Sequence, residues 1–484
     1  MMKTLLWFRR DLRLTDNPAL ARALEDGEVI PVYIHAPEEE GDWAPGGASL
    51  WWLHHSLAAL GEDLRARGVD LVIRQGASLE TLQALIRETG AQQVLWNRLY
   101  EPALIARDTG IKQQLRDQGI RTQSFNAALL FEPWTVAKQD GTPYKVFTPF
   151  WKACLGLGVP VDVTPAPERI QGPAQLPPGE TLKSLGLLPD IDWAAGFTEL
   201  WQPGEAGALA RLAEFMDEAV ADYDEMRNRP DRDGSSRLSP YLHFGEIGPR
   251  QAAAACQVAK DRHGGKAAHQ GIDSFLREIG WREFAHHLLY HFPRTSDEPL
   301  DPRFRKLPWR ELDEETLRAW QRGRTGIPLV DAAMRALWAT GWMHNRVRMI
   351  VASLLTKNLG AHWLTGARWF WDTLVDADLA GNTLGWQWTA GCGADAAPYF
   401  RVFNPVLQGE RFDPNGDYLR QWVPELAKLP AKYIHRPWEA PEAILKAAGV
   451  RLGGNYPRPI VDLAESRRQA LEMWEVIKGT KDEG

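Results

Sequence analysis

The sequence predicts two architectures in one chain: an α/β N-terminal region built on a doubly wound parallel sheet, and a large all-α C-terminal region. Three observations carry this. Residues 1–135 alternate short apolar runs with helical patterns, as βαβ units do. Residues 158–205 contain Pro160, Pro165, Pro167, Pro173, Pro177, Pro178, Pro189 and Pro203 and have little periodicity. From about residue 206 onward the pattern is helical with few strand signals. The division expected is 1–135 for the α/β domain, 136–205 for a linker draped over the surface, 206–475 for the helical domain and 476–484 for a short tail.

In chain order, strands are expected at Thr4–Phe8, Val29–Ile34, Leu71–Arg74, Gln93–Trp96 and Thr122–Leu130. They are near-continuous apolar runs, which suits strands covered on both faces. Helices are expected between them at Asn17–Glu25, Ala48–Arg67, Leu79–Thr89 and Leu104–Gln118. Further on, helical spacing marks Ala206–Asp222, Gly271–His291, Pro328–Thr340, Asn345–Leu359 and Ala367–Leu374.

Composition excludes several classes. The 484 residues carry 56 Lys and Arg against 63 Asp and Glu, a net charge of −7, so no general basic coat for nucleic acid exists. Cys154, Cys256 and Cys392 lie far apart, which excludes a disulfide framework and a Cys-x-x-Cys metal site. The N-terminal apolar run meets Arg9 and Arg10 at once, unlike a signal peptide or a membrane span, and the expected location is cytoplasmic. The first strand is not followed by Gly-x-Gly-x-x-Gly, and no phosphate-binding Gly-x4-Gly-Lys-Ser/Thr loop occurs. One count is unusual: 22 Trp against 16 Phe and 10 Tyr. Packing accounts for most of such an excess, while indole also stacks on bases and ligands and carries electrons.

Four segments concentrate chemistry. Asp233-Gly-Ser-Ser-Arg-Leu-Ser-Pro240 places hydroxyls and a guanidinium in a turn before a helix, a concavity for an anion or an ordinary capping turn. Glu278, Trp281 and Arg282 fall at i, i+3 and i+4 of a helix, which suits a planar polar ligand beside a phosphate, or an intrahelical ion pair beside a core Trp. Asn345, Arg348 and Met349 repeat that spacing, with Arg346 pointing elsewhere. Residues 281–350 hold 12 Lys and Arg against 9 Asp and Glu, a mild local basic bias. Finally, Asp376, Asp378, Asn382, Trp386 and Trp388 form a dense polar and aromatic loop. A metal at Asp376 and Asp378 has no further ligand at suitable spacing, and none is expected.

Together these motifs resemble the DNA photolyase/cryptochrome family over roughly residues 3–475, most like a class I or III cyclobutane pyrimidine dimer photolyase. The resemblance rests on LLWFRRDLRLTDNPAL near the start, YKVFTPFWKA from Tyr144, GSSRLSPYLHFGEIGPRQ at 234–251 and WREF at 281–284. It rests also on TGIPLVDAAMRAL, TGWMHNRVRMIVASLLTKNL, DADLAGNTLGWQW and DAAPYFRVFNP at 395–405.

The resemblance implies a flavoprotein whose helical domain binds FAD. Tyr223, Ser235, Ser236, Arg237, Leu238, Ser239, Trp342, Asn345, Arg348, Asp376, Asp378 and Asn382 would line the flavin site. Glu278, Trp281, Arg282, Asn345, Met349 and Trp388 would line the lesion pocket, and Arg227, Arg346 and Arg401 would hold DNA phosphates. Trp386, Trp363 and Trp309 would form an electron-transfer chain from the flavin to the surface. With Glu278 and Asn382 they make the catalytic set, Asn382 staying neutral beside an anionic reduced flavin. An antenna pigment is implied, methenyltetrahydrofolate ahead of 8-hydroxy-deazaflavin, on the strength of GGASLWWLHHSLAAL at 46–60. The activity implied is light-driven repair of UV-damaged DNA by a monomer. The rivals are a cryptochrome-like blue-light receptor without repair and a single-strand-specific relative.

Overall fold

A computed structural model describes residues 2–396 and 401–478. Ala397–Phe400 of the last motif and most of the expected tail lie outside these. The N-terminal sheet has five parallel strands: β1 (Met2–Phe8), β2 (Gly27–His35), β3 (Val72–Gln75), β4 (Gln93–Asn97) and β5 (Arg121–Phe125). Their order is β3-β2-β1-β4-β5, so the winding reverses beside β1. Four helices connect them: α1 (Pro18–Asp26), α2 (Gly47–Ala66), α3 (Ser78–Thr89) and α4 (Pro102–Asp117).

The expected doubly wound sheet is therefore present, and its local causes are visible. Asn17 caps α1 by accepting from the Leu20 N–H, and Pro18 occupies the first turn, where its missing N–H costs nothing. Helix α3 stops at Gly90, whose φ of 68° suits glycine. Leu5, Leu6, Trp7 and Phe8 are all buried, because helices cover both faces of β1. Leu5 lies between Ile30 and Val94 in register, at the centre of a core that includes Trp7, Val32, Leu85, Trp96 and Ile111. Each such side chain gains about 1.5–3 kcal/mol from burial. The fifth strand ends at Phe125, short of the expected Leu130. Beyond it the Asn126 side chain caps a turn, accepting from the Ala128 and Leu129 N–H groups.

The segment 158–205 departs from expectation: it is packed rather than draped. Ile170, Leu187, Phe197 and Trp201 are buried, and Ala195–Leu200 is helical. Its backbone pairs with the sheet region, with Ile170 N donating to Arg67 O, Val29 N to Gln171 O and Glu180 N to Ile73 O, each at 2.8 Å. The prolines keep this chain extended, and it shields β3, which would otherwise be an open sheet edge.

The chain falls into two compact units. One comprises Met1–Ala221, Ser236–Pro293 and Val375–Leu379; the other comprises Asp222–Ser235, Arg294–Leu374 and Ala380–Gly484. In the first, the 26-residue helix Lys266–His291 carries Glu278, Trp281 and Arg282. The second is helical, with Pro328–Thr340, Asn345–Ser353, Trp363–Thr373 and Leu379–Ala390 as its principal helices near the motifs.

Two expectations change here. The helix from Asn345 does not run evenly to Leu359. It is α-helical to Ser353 and then opens into a π-turn at Leu354–Asn358, closed by Leu359 N donating to Leu354 O. The Asp376–Trp388 segment is not one loop either, because Leu379–Ala390 is a helix. Its buried positions Ala380, Thr383, Trp386, Gln387 and Ala390 follow a helical repeat that the dense polar composition hid. The TGIPLVD motif has a structural role. Buried Asp331 accepts from Thr325 N (2.6 Å), Gly326 N (3.0 Å) and the Tyr456 hydroxyl (2.8 Å). Among the described residues no helix is long and apolar enough to cross a membrane.

Candidate flavin and DNA site

In the first unit, the turn Ser236–Ser239 leads into the short helix Ser239–His243. Arg237 has φ of 52° and Leu238 is right-handed helical. Such a left–right pair turns successive N–H groups to one side and makes an anion-binding concavity, at a cost of about 1–3 kcal/mol for a bulky residue at positive φ. The Arg211 guanidinium steadies it by donating to Ser236 O at 2.9 Å. Ser235 directly precedes this turn.

The loop Val375–Leu379 is tight, with Asp378 N donating to Asp376 O at 2.8 Å. Asp376 is buried. Asp378 faces His286 Nε2 at 3.5 Å and His243 Nδ1 at 3.8 Å. Burial alone would raise its carboxyl, but His286, His243 and Arg282 outweigh that and hold it well below the ordinary range. Neither histidine was singled out from sequence, since their partner is a carboxylate about a hundred residues away.

On the helix Lys266–His291, Trp281 lies flat on Phe147, with ring centroids 3.8 Å apart and planes at 10°. Trp281 and Glu278 are both half-buried. Arg282 departs from expectation. It donates to Ala128 O at 2.6 Å and Leu242 O at 3.5 Å, so its guanidinium is committed to backbone carbonyls rather than turned to DNA. The i, i+3, i+4 spacing fixed the helix face but not this side chain's direction. Next to it Glu283 is buried and accepts from Leu130 N and Phe131 N, and burial pushes its carboxyl up to about 7.

In the second unit, Tyr223 is buried beneath Arg227, whose guanidinium lies 5.8 Å from the ring centroid. His344 caps the helix Asn345–Ser353 by accepting from the Arg346 N–H, which leaves Asn345 exposed and Trp342, Arg348 and Met349 half-buried. Arg348 Nε donates to Met343 O at 2.6 Å. Asn382 Nδ2 donates to Ala367 O at 3.0 Å. Since a carbonyl only accepts, the amide orientation is fixed, and Oδ1 is the end available to a donor.

Trp386 is four residues on from Asn382 and is buried against Phe370 (5.0 Å) and Trp320 (6.4 Å). Trp363 is fully buried, and His362 lies between it (5.7 Å) and Trp309 (5.1 Å). Trp320 was missed from sequence, because no motif spacing sets it apart from the other indoles. Trp388 is half-buried, 6.4 Å from Phe403.

Arg346 and Arg401 line one cleft. Arg346 is hydrogen-bonded to Asn228 and lies 4.5 Å from the Phe412 centroid. Burial and the neighbouring Arg227 and Arg411 guanidiniums push its pKa down, which marks a concentration of positive charge. Among the described residues no group of three or more His, Cys, Asp or Glu side chains is placed to hold a metal.

Residues 4–169 match the family model for DNA photolyase, and residues 275–476 match that for the FAD binding domain of DNA photolyase. A deoxyribodipyrimidine photo-lyase of Agrobacterium fabrum is 49% identical over 480 residues, 98% of both chains. Cryptochrome-2 of Arabidopsis thaliana is 44% identical over 96% of this chain and 77% of its own. The crystal structure of a bacterial class III photolyase from Agrobacterium tumefaciens superposes with a TM-score of 0.95, covering 99% of this chain and 98% of the other. With such identity across nearly the full length of both sequences, the chain belongs to the DNA photolyase/cryptochrome family.

Proposed function

We propose that this chain uses light to repair cyclobutane pyrimidine dimers in DNA, as a deoxyribodipyrimidine photo-lyase holding FAD, and that the residues assigned above from the family resemblance, Arg282 excepted, carry out that reaction. The observation that carries the reading is the Trp281–Phe147 stack. An indole held flat at 3.8 Å on a second ring and still partly exposed is a preorganised platform for a base. A light receptor without repair has no need of one. The test is whether the purified protein, in light and not in darkness, restores dimer-containing duplex DNA.

The residues present fit FAD. The Arg237–Leu238 concavity, with the Ser235, Ser236 and Ser239 hydroxyls, suits a pyrophosphate. Tyr223, Trp342, Asn345 and Arg348 would complete the cofactor's surroundings with Asp376 and Asp378. Asn382 Oδ1, free to accept while its nitrogen is anchored on Ala367, suits a ring N–H of reduced flavin without placing a negative charge there. When bound, the cofactor supplies light-driven one-electron chemistry, an electron lent to the dimer and recovered after its ring has split.

The chain's own part is binding, orientation and electrostatics. Trp281 and Trp388 stack the flipped-out dimer, and Glu278 hydrogen-bonds its polar edge. By the family resemblance, Asn345 and Met349 would take part in lesion binding as well. Arg227, Arg346 and Arg401 hold phosphates without reading sequence. Trp309, Trp363 and Trp386 would carry electrons from the surface toward the flavin once it is bound. The protein acts as a monomer with no obligate protein partner.

A folate antenna, methenyltetrahydrofolate, belongs to the same proposal. The crevice at the carboxyl ends of β1, β2 and β4, where such a sheet would hold a flavin-like pigment, is crossed by ion pairs. Arg9–Asp108 and Arg10–Glu101 each close at 2.7 Å, and Arg107–Glu39 at 3.3 Å. On α2 the 46–60 segment instead holds the half-buried His55 4.5 Å from Trp51, which is itself buried 5.2 Å from Phe197.

A further inference from the structure

The second unit contains a basic cleft of about 590 Å³, of the size that holds a nucleotide-sized ligand. Arg346, Arg401, Arg411 and Arg467 line it. None of the four has a carboxylate within 4.0 Å among the described residues, in a chain whose net charge is −7. Two of them are pre-set by aromatic stacking, because Arg346 and Arg411 lie 4.5 and 5.0 Å from the centroid of Phe412. Arg401 lies 5.8 Å from the centroid of Phe403, which also lines the cleft.

A second observation is independent of charge. Asn358 also lines the cleft, is 4% exposed, and belongs to the π-turn Leu354–Asn358. Its Nδ2 donates to Ser466 Oγ at 2.8 Å, and its Oδ1 has no partner. A buried amide oxygen without a donor costs about 1–3 kcal/mol, so the fold keeps it at a loss. π-Turns inside helices are rare and are frequently found at functional sites.

We infer that this cleft is a nucleotide subsite: it takes one unpaired nucleotide of the DNA opened by dimer flipping. Its phosphate meets Arg411 and Arg467, its base lies against Phe403, and Asn358 Oδ1 accepts from an exocyclic base amine. The inference rests on the reading of the protein as a DNA repair enzyme and extends it to Arg411, Arg467 and Asn358, which that reading does not assign. The nucleotide has two sources, a neighbour of the dimer on its own strand or a base left unpaired on the complementary strand.

The test is a salt titration of dimer-DNA binding by the FAD-loaded, full-length protein and its Arg467→Ala variant. Arg467 is exposed on the C-terminal helix, so its removal leaves the fold intact. Each lost phosphate contact lowers the slope of log K against log salt by about 0.9 on duplex and about 0.7 on single strands. A reduced slope on both substrates supports the site and assigns the nucleotide to the dimer strand; a reduced slope on duplex alone supports it and assigns the complement. An unchanged slope on both overturns the subsite. Asn358→Leu provides a second readout, an expected weakening of about two- to tenfold at constant slope. Equal affinity in a folded, flavin-loaded Asn358→Leu protein overturns the base contact. If wild-type protein does not prefer dimer DNA to undamaged DNA, the repair reading fails instead, and the two failures are told apart.

Discussion

Gly366→Ala tests the tryptophan chain without touching an indole. A Cβ at Gly366 would lie 2.0 Å from Cη2, 2.4 Å from Cζ3 and 2.6 Å from Cζ2 of Trp386. Carbon atoms rest at about 3.5–4.0 Å, so the ring must withdraw by roughly 1.5 Å. Trp386 is 2% exposed and bracketed by Phe370 and Trp320, so it has no free space to enter. Overpacking of this kind costs about 1–3 kcal/mol. Replacing glycine inside the helix Trp363–Thr373 returns up to about 1 kcal/mol of helix propensity. The net loss is about 0–3 kcal/mol. For 484 residues the unfolding entropy is about 1 kcal/mol per degree, so Tm should fall by only about 0–3 °C. The expected phenotype is a folded, yellow protein whose flavin is reduced slowly under blue light in the presence of a donor. Repair should persist once the flavin has been reduced chemically. The double variant Gly366→Ala/Trp386→Phe should be no slower than Trp386→Phe alone, since both act on one group. Wild-type photoreduction in Gly366→Ala would refute the assignment of Trp386 as the donor nearest the flavin.

Three further outcomes follow from the geometry. Trp281→Ala should weaken binding to dimer duplex by about 5- to 150-fold, from about 1–3 kcal/mol of stacking, while undamaged DNA is bound as before; unchanged discrimination in a flavin-loaded variant would count against the lesion platform. Asn382→Asp replaces an N–H that bonds Ala367 O with an oxygen, so the variant should lose about 1–3 kcal/mol in thermal melts, more as pH rises and the new carboxyl ionises; melting equal to wild type at every pH would contradict the amide orientation. Glu283 has a folded pKa raised to about 7, so its contribution is fully present below the ordinary carboxyl range and is lost as pH rises to about 7. Glu283→Gln should therefore gain on wild type by up to about 3 kcal/mol above pH 7, and the gain should vanish toward pH 4.5; a pH-independent difference would sink this account.

What the sequence determined by itself is whatever follows from short-range pattern. The five strands and four N-terminal helices appear because near-continuous apolar runs and a 3.6-residue repeat are local properties, and Asn17 and Gly90 mark helix ends through their own backbones and side chains. The candidate residues were legible because they sit in dense motifs, and so was the family. Tertiary structure decided the features that depend on partners distant in sequence. Arg282 turned to Ala128 and Leu242, 154 and 40 residues away, which no helical wheel can anticipate. The proline-rich segment became a packed cover for β3, because an open sheet edge needs backbone partners that only the fold supplies. The Asn382 amide acquired its direction from Ala367 O, and Asp378 its charge from His243 and His286. The four-arginine cleft stayed hidden in a net-negative chain because Arg346, Arg401, Arg411 and Arg467 are spread over more than a hundred residues. Coulomb repulsion makes such a gathering costly, and only the packing of the surrounding helices holds it in place.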